Sequence, residues 1–144
     1  LSGPRHKVIG ADLSLPYLRE RFTKREVGVV SDAVQLPFTQ ASFDSVWNFG
    51  LLHHLSDDAV RRAILEFRRV CKPGGRVVII DAVYPRRPFL RPIPYMIRYL
   101  DRGGSVRTEA QMRELIAPFG PWRHTRRTYT LSALELLLCV SDVA

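Results

Sequence analysis

Cysteine is scarce in this 144-residue chain: Cys71 and Cys139 stand far apart, neither with a second metal-ligand pair beside it, so neither a disulfide framework nor a zinc site is indicated. Both thiols are expected to be buried and reduced. Long apolar runs are also missing. The longest, VVII and LELLLCV, fall far short of a bilayer span, and no basic start leads into an apolar run and cleavage site. The expectation is therefore a cytoplasmic protein without a membrane span. Acidic charge is in deficit, with 14 Asp and Glu against 22 Lys and Arg and a net charge of +8. The last shortage is of glycine near the start: only eleven residues precede Asp12, and they hold no glycine-rich loop.

An apolar fraction of 46% and a charged fraction of 25% are those of a globular protein, and the length suits one domain over residues 1–144. The charge is uneven. Between Tyr84 and Tyr129 ten arginines face only Asp101, Glu109 and Glu114. Such a patch suits nucleic acid, phosphorylated substrates or anionic lipid. The arginines are not interleaved with aromatics at regular spacing, so solvated faces are the preferred reading and a nucleic-acid partner is not expected.

Apolar patterning predicts alternating strands and helices. KVIGA (7–11) reads as a short buried strand closed by Asp12, and Ser14 caps a following helix with Pro16 in its first turn. EVGVVS (26–31) is a second strand ending at Asp32, and FDSVWNF (43–49) a third. Residues 57–70 form an amphipathic helix with Val60, Ile64, Phe67 and Val70 on its apolar face, stopped by CKPGG. RVVII (76–80) is a buried strand ending on Asp81. A short helix over 94–100, a Thr108-capped helix through Ala117, and a hairpin of 122–130 with 133–140 complete the chain. This cadence means βαβ units and a parallel sheet.

Three stretches, GADLS, SDAVQLPFTQASFDSVWNFGLLHHLSD and FRRVCKPGGRVVIID, together resemble the class I S-adenosylmethionine-dependent methyltransferases, in particular those acting on small molecules and lipids. The resemblance implies an α/β, Rossmann-like sheet, mostly parallel with a C-terminal antiparallel hairpin, in the family order 3-2-1-4-5-7-6. KVIGA then matches the second strand, and the first strand with its glycine-rich turn has no counterpart: the domain reads as N-terminally incomplete. Three arrangements follow. The second strand closes directly on the fourth, giving 3-2-4-5-7-6; a second chain donates a strand or forms a homodimer by strand exchange; or the sequence is a fragment of a longer enzyme.

The resemblance also implies the site. Asp12, with adjoining Leu13, accepts the ribose hydroxyls of S-adenosylmethionine; Asp32 and the backbone N–H of Ala33 lie near adenine; Asn48 and Phe49 line the methionine end. The competing readings are a helix-start acid for Asp12, an Asx turn for Asp32, and loop packing for Asn48 and Phe49. His53 and His54 are weak candidates for a general base, since the family's paired histidines commonly shape the loop after the fourth strand and methyl transfer often needs mainly alignment. No metal is implied. Tyr84, Tyr95 and Tyr99 read as packing rather than as a pocket wall. Without the glycine-rich turn, this chain is expected to bind S-adenosylmethionine weakly. The function expected is methyl transfer to a small-molecule acceptor; the alternatives are a non-catalytic methyltransferase-like module, and a nucleic-acid methyltransferase or binder using the arginine-rich region.

Overall fold

A computed structural model describes residues 7–21, 27–100, 104–128 and 134–144. The expected tip at Tyr129–Thr130 and the start of the last strand at Ala133 lie outside these residues. The chain divides into two compact units, Leu1–Pro37 and Phe38–Ala144.

In the first unit, β1 (Ile9–Asp12) and β2 (Val27–Val30) form a parallel pair that registers Asp12 opposite Val30. Helix α1 (Leu15–Arg21) starts at Ser14, whose hydroxyl accepts from Tyr17 N at 3.3 Å. Its Leu18, 4% exposed, lies over Gly28 so closely that a Cβ there would stand 3.4 Å from Leu18 Cβ. A glycine in mid-strand thus seats the helix.

The second unit holds a four-stranded sheet of order β3 (Phe43–Phe49), β4 (Cys71–Val83), β6 (Glu135–Asp142) and β5 (Arg123–Thr128). β3 and β4 are parallel, and β6 runs antiparallel to both its neighbours, which matches the expected single reversed strand. Helix α2 (Asp57–Val70) has the predicted limits: Ser56 Oγ accepts from Ala59 N, Asp57 and Asp58 favour the N-terminal dipole, and Val60, Ala63, Ile64, Phe67 and Val70 are buried. It contacts β3, β4 and helix α4 (Glu109–Ile116). Helix α4 begins with a reciprocal capping box between Thr108 and Gln111, and contributes Met112, Leu115 and Ile116 to the core. Helix α3 (Pro92–Tyr99) starts two residues earlier than expected, with Pro92 at its first position.

Two expectations are corrected. The closed-up order 3-2-4-5-7-6 would hydrogen-bond β1 to β3; instead, among the described residues, β1 pairs only with β2 and β3 only with β4, in two separate sheets. A central strand needs both faces covered. Here Ile9, Val27 and Val30 remain 40%, 55% and 51% exposed. Secondly, the strand expected over 76–80 is longer: CKPGG ends α2 as read, but β4 begins at Cys71 itself and runs to Val83. The pairing passes from Phe43↔Cys71 to Ser45↔Arg76, so the Lys-Pro-Gly-Gly residues are absorbed in a bulge. Gly74 adopts φ 76° there, and a Cβ on Gly75 would meet Cys71 Sγ at 2.7 Å and the Asp44 and Lys72 carbonyl oxygens at 2.8 Å.

Candidate functional site

In the first unit, Asp12 and Asp32 stand at the same ends of the paired strands β1 and β2, where Ser31 N donates to the Asp12 carbonyl at 3.1 Å. Each carboxylate tightens its own turn. Asp12 Oδ1 accepts from Ser14 N at 2.7 Å, and Asp32 Oδ1 accepts from Val34 N at 3.0 Å. The helix-start and Asx-turn readings are therefore realised, and they use one oxygen of each. The Oδ2 atoms have no hydrogen-bond partner among the described residues. Leu13 is 68% exposed and Ala33 half-buried beside them. Each acid, at the carboxyl end of its strand, is thus left an oxygen that can accept a further hydrogen bond.

In the second unit, Asn48 near the end of β3 is 7% exposed, and its Oδ1 has no partner among the described residues. A buried amide oxygen left so invites a donor. Phe49 is 64% exposed and stacks on Trp47 at 5.9 Å. It lines a cavity of about 290 Å³ with Gly50, His53, Ile80, Ala82, Arg98 and Leu136.

The adjacent histidines part company. His54 is exposed, its ring 4.0 Å from that of His53. His53 is buried, with Nδ1 2.6 Å from Asp81 Oδ1. Asp81, fully buried in β4, also accepts from Leu52 N at 2.6 Å and Ala82 N at 2.7 Å. A buried carboxyl group is tolerated here because its oxygens are filled by hydrogen-bond partners. The loop after β3 is held from the other side by Arg107, 7% exposed, which donates to the Leu52 and Leu55 carbonyls at 2.8 and 2.7 Å and to Asp57 Oδ1 at 2.7 Å. Neither Asp81 nor Arg107 was expected in the site. Asp81 did carry a signal: an acid closing a buried apolar run needs a partner, and two histidines lay in the neighbouring strand's loop.

The tyrosines depart from the packing expectation. Tyr84, Tyr95 and Tyr99 line an open cavity of about 760 Å³, with ring centroids 5.3 Å apart for Tyr84 and Tyr95 and 6.5 Å for Tyr95 and Tyr99. Tyr95 and Tyr99 are 38% and 65% exposed, because α3 packs only Pro94 inward. The cavity's charged wall centres on Glu109. Its Oε2 accepts from Arg126 at 2.8 Å and Arg86 at 3.0 Å, and its Oε1 from Arg113 at 2.7 Å. Burial is the largest single influence on this carboxyl and pushes its pKa up, but the Arg126 and Arg86 hydrogen bonds and the surrounding charges together hold it below the ordinary carboxylate range. Arg126 also bonds Glu135, which accepts from Arg91 at 2.9 Å. Much of the basic region is thus held in ion pairs: Arg86, Arg91, Arg107, Arg113, Arg123 and Arg126 each bond a carboxylate.

Both cysteines are buried and free, as expected. Burial pushes Cys139 up to about 12. No helix among the described residues is long and apolar enough to cross a membrane.

Comparison with known proteins gives this arrangement a family. A family model described as a methyltransferase domain matches residues 1–79. The demethylmenaquinone methyltransferase of Roseiflexus castenholzii is 36% identical over 92 residues, 61% of this chain and 38% of that protein. A tRNA (carboxymethyluridine(34)-5-O)-methyltransferase of Arabidopsis thaliana is 42% identical over 72 residues, 49% of this chain and 18% of that protein. The chain spans less than half the length of either relative. The solved structure of Burkholderia thailandensis 1,6-didemethyltoxoflavin-N1-methyltransferase, bound to 1,6-didemethyltoxoflavin and S-adenosylhomocysteine, superposes with a TM-score of 0.69 at 19% identity, covering 96% of this chain and 62% of that one. By family model, relatives and Rossmann-like fold, the chain belongs to the class I S-adenosylmethionine-dependent methyltransferases.

Proposed function

We propose that this chain carries the adenosine-binding and acceptor-facing parts of an enzyme that transfers a methyl group from S-adenosylmethionine to a small-molecule acceptor. The observation that supports this most is the placement of Asp12 and Asp32 at the same ends of paired parallel strands, each with an oxygen beyond those its own turn uses. Asp12, with Leu13 beside it, takes the ribose hydroxyls; Asp32 takes the adenine amino group, with Ala33 N–H near the ring. Asn48 and Phe49 serve the methionine end, where the buried Asn48 Oδ1 accepts a proton-bearing group. When bound, the cofactor supplies an electrophilic sulfonium methyl for in-line displacement.

The rest of the chemistry is positional. Asp81 fixes His53 Nδ1 as the donor, which leaves Nε2 as a base in the wall of the smaller cavity. His53 thereby orients the loop and is placed to hold an acceptor proton, whereas exposed His54 has no such partner among the described residues. Hydrogen bonds to a carboxylate as exposed as Asp32 contribute little net affinity, so this chain on its own holds the cofactor weakly. A second copy, or another chain, that pairs along the open edge of β1 would strengthen the adenosine end of the site.

Ultraviolet cross-linking of methyl-labelled S-adenosylmethionine tests the assignment. Labelling that S-adenosylhomocysteine competes away, and that falls at least about fivefold in Asp12→Ala and by a smaller factor in Asp32→Ala, is expected from losing the ribose hydrogen bonds and the more exposed adenine bond respectively. Labelling indifferent to both substitutions would overturn it.

A further inference from the structure

We propose that the open cavity beside Tyr84 takes the methyl acceptor, and that this acceptor is a planar aromatic molecule carrying an anionic group. The word acceptor rests on the methyl-transfer reading; the ligand chemistry rests on the cavity alone. Tyr84 directly follows β4, at the carboxyl end of a strand that runs parallel to β3, where open α/β sheets hold their ligands. At about 760 Å³ the space accommodates a bicyclic or tricyclic molecule.

Two features of the wall define what fits. The first is aromatic: Tyr95 and Tyr99 sit one helical turn apart with rings only 15° from parallel, both partly exposed, and Tyr84 lies 5.3 Å from Tyr95. Tyrosines on an exposed helix face normally cost apolar hydration, and a flat ring laid against them recovers it with an added stacking gain. The second is charge. Three guanidiniums, of Arg86, Arg113 and Arg126, face the cavity with one carboxylate, Glu109. Glu109 is engaged by all three and Arg126 is also paired with Glu135, so the wall's surplus positive charge and spare N–H donors lie on Arg86 and Arg113, whose side chains are 68% and 47% exposed. A guanidinium fork suits a carboxylate, a phenolate or a phosphate. The wall selects against cationic ligands, and an uncharged ring leaves its surplus unanswered.

The test is equilibrium binding to the whole chain at neutral pH without cofactor, so that its outcome is separate from that of the cross-linking experiment. Three probes differ by one property each: 2-naphthoate, the uncharged 2-naphthol, and the non-planar decalin-2-carboxylate. The naphthoate is expected to bind roughly tenfold more tightly than either. Arg86→Gln and Arg113→Gln each reduce its affinity by about threefold, as suits partly exposed charges, while Arg86→Lys retains most of it. Tyr95→Leu weakens naphthoate but not decalin-2-carboxylate. Arg86 and Arg113 are surface residues outside the core, and circular dichroism verifies folding. Equal affinity for naphthoate and naphthol would overturn the anionic part, and equal affinity for naphthoate and decalin-2-carboxylate the planar aromatic part.

Discussion

Replacing Asp81 by alanine probes how the loop after β3 is held. The carboxylate accepts from Leu52 N and His53 Nδ1, both from a segment distant in sequence, and from Ala82 N within its own strand. Removing it leaves two long-range buried donors without partners, at about 1–3 kcal/mol each. Against this, burying the carboxylate was itself costly, and the substitution relieves that cost. The balance is a loss of about 3 kcal/mol, a large part of a domain's stability, and a melting temperature lower by roughly 9 °C at this chain length. Urea unfolding followed by circular dichroism measures it. His53→Ala removes one of the same bonds, so the double variant should fall short of the sum of the single losses by at least about 1 kcal/mol. A loss below about 1 kcal/mol for Asp81→Ala, or strict additivity, would refute the reasoning and return His53 to the status of an ordinary loop residue.

Gly75→Ala should destabilise by more than about 2 kcal/mol in the same unfolding assay, because its Cβ would stand within 2.8 Å of two backbone carbonyl oxygens and the Cys71 sulfur. Cys139, with its thiol raised to about 12, should resist iodoacetamide at pH 8 in the folded chain and react readily in denaturing urea, as read by mass spectrometry. The lowered pKa of Glu109 means that its folded form binds protons less readily than its unfolded form. Its contribution to stability is therefore present above the ordinary carboxylate range and is lost as pH falls through the lowered folded value. Stability measured between pH 6 and pH 3 should fall less steeply in Glu109→Gln than in the parent chain.

Elements whose determinants lie within one segment were legible in the sequence. Helix α2 is bounded as read because Ser56 caps it, its apolar residues keep one face, and Lys-Pro-Gly-Gly cannot continue it. Strand β3 was equally plain. The late start read for β4 has a specific origin: proline and glycines mark the end of a helix, but whether the released chain runs extended at once depends on a partner strand. Here Phe43 pairs with Cys71 and draws the segment into β4. The placing of Asp12 and Asp32 at neighbouring strand ends was foreseen because a terminal acid after a short apolar strand has a fixed position. The exposure of Tyr95 and Tyr99 was not legible, because how deeply α3 is buried depends on what covers it. Contacts between distant segments were out of reach, including Asp81 with His53, Arg107 with the Leu52 carbonyl, and Arg126 between Glu109 and Glu135. Each pairs residues that have many chemically equivalent alternatives elsewhere in an arginine-rich chain.

The amides of Ser14 and Val34, which donate to the Asp12 and Asp32 carboxylates, report directly on ligand arriving at those groups. Titration of isotopically labelled chain with S-adenosylmethionine, followed by amide chemical shifts, should displace both resonances together with an affinity weaker than low micromolar, and Asp12→Ala should shift the Val34 response to at least about fivefold higher ligand concentration. Tight binding that leaves these two amides unmoved would contradict the assignment of the adenosine site.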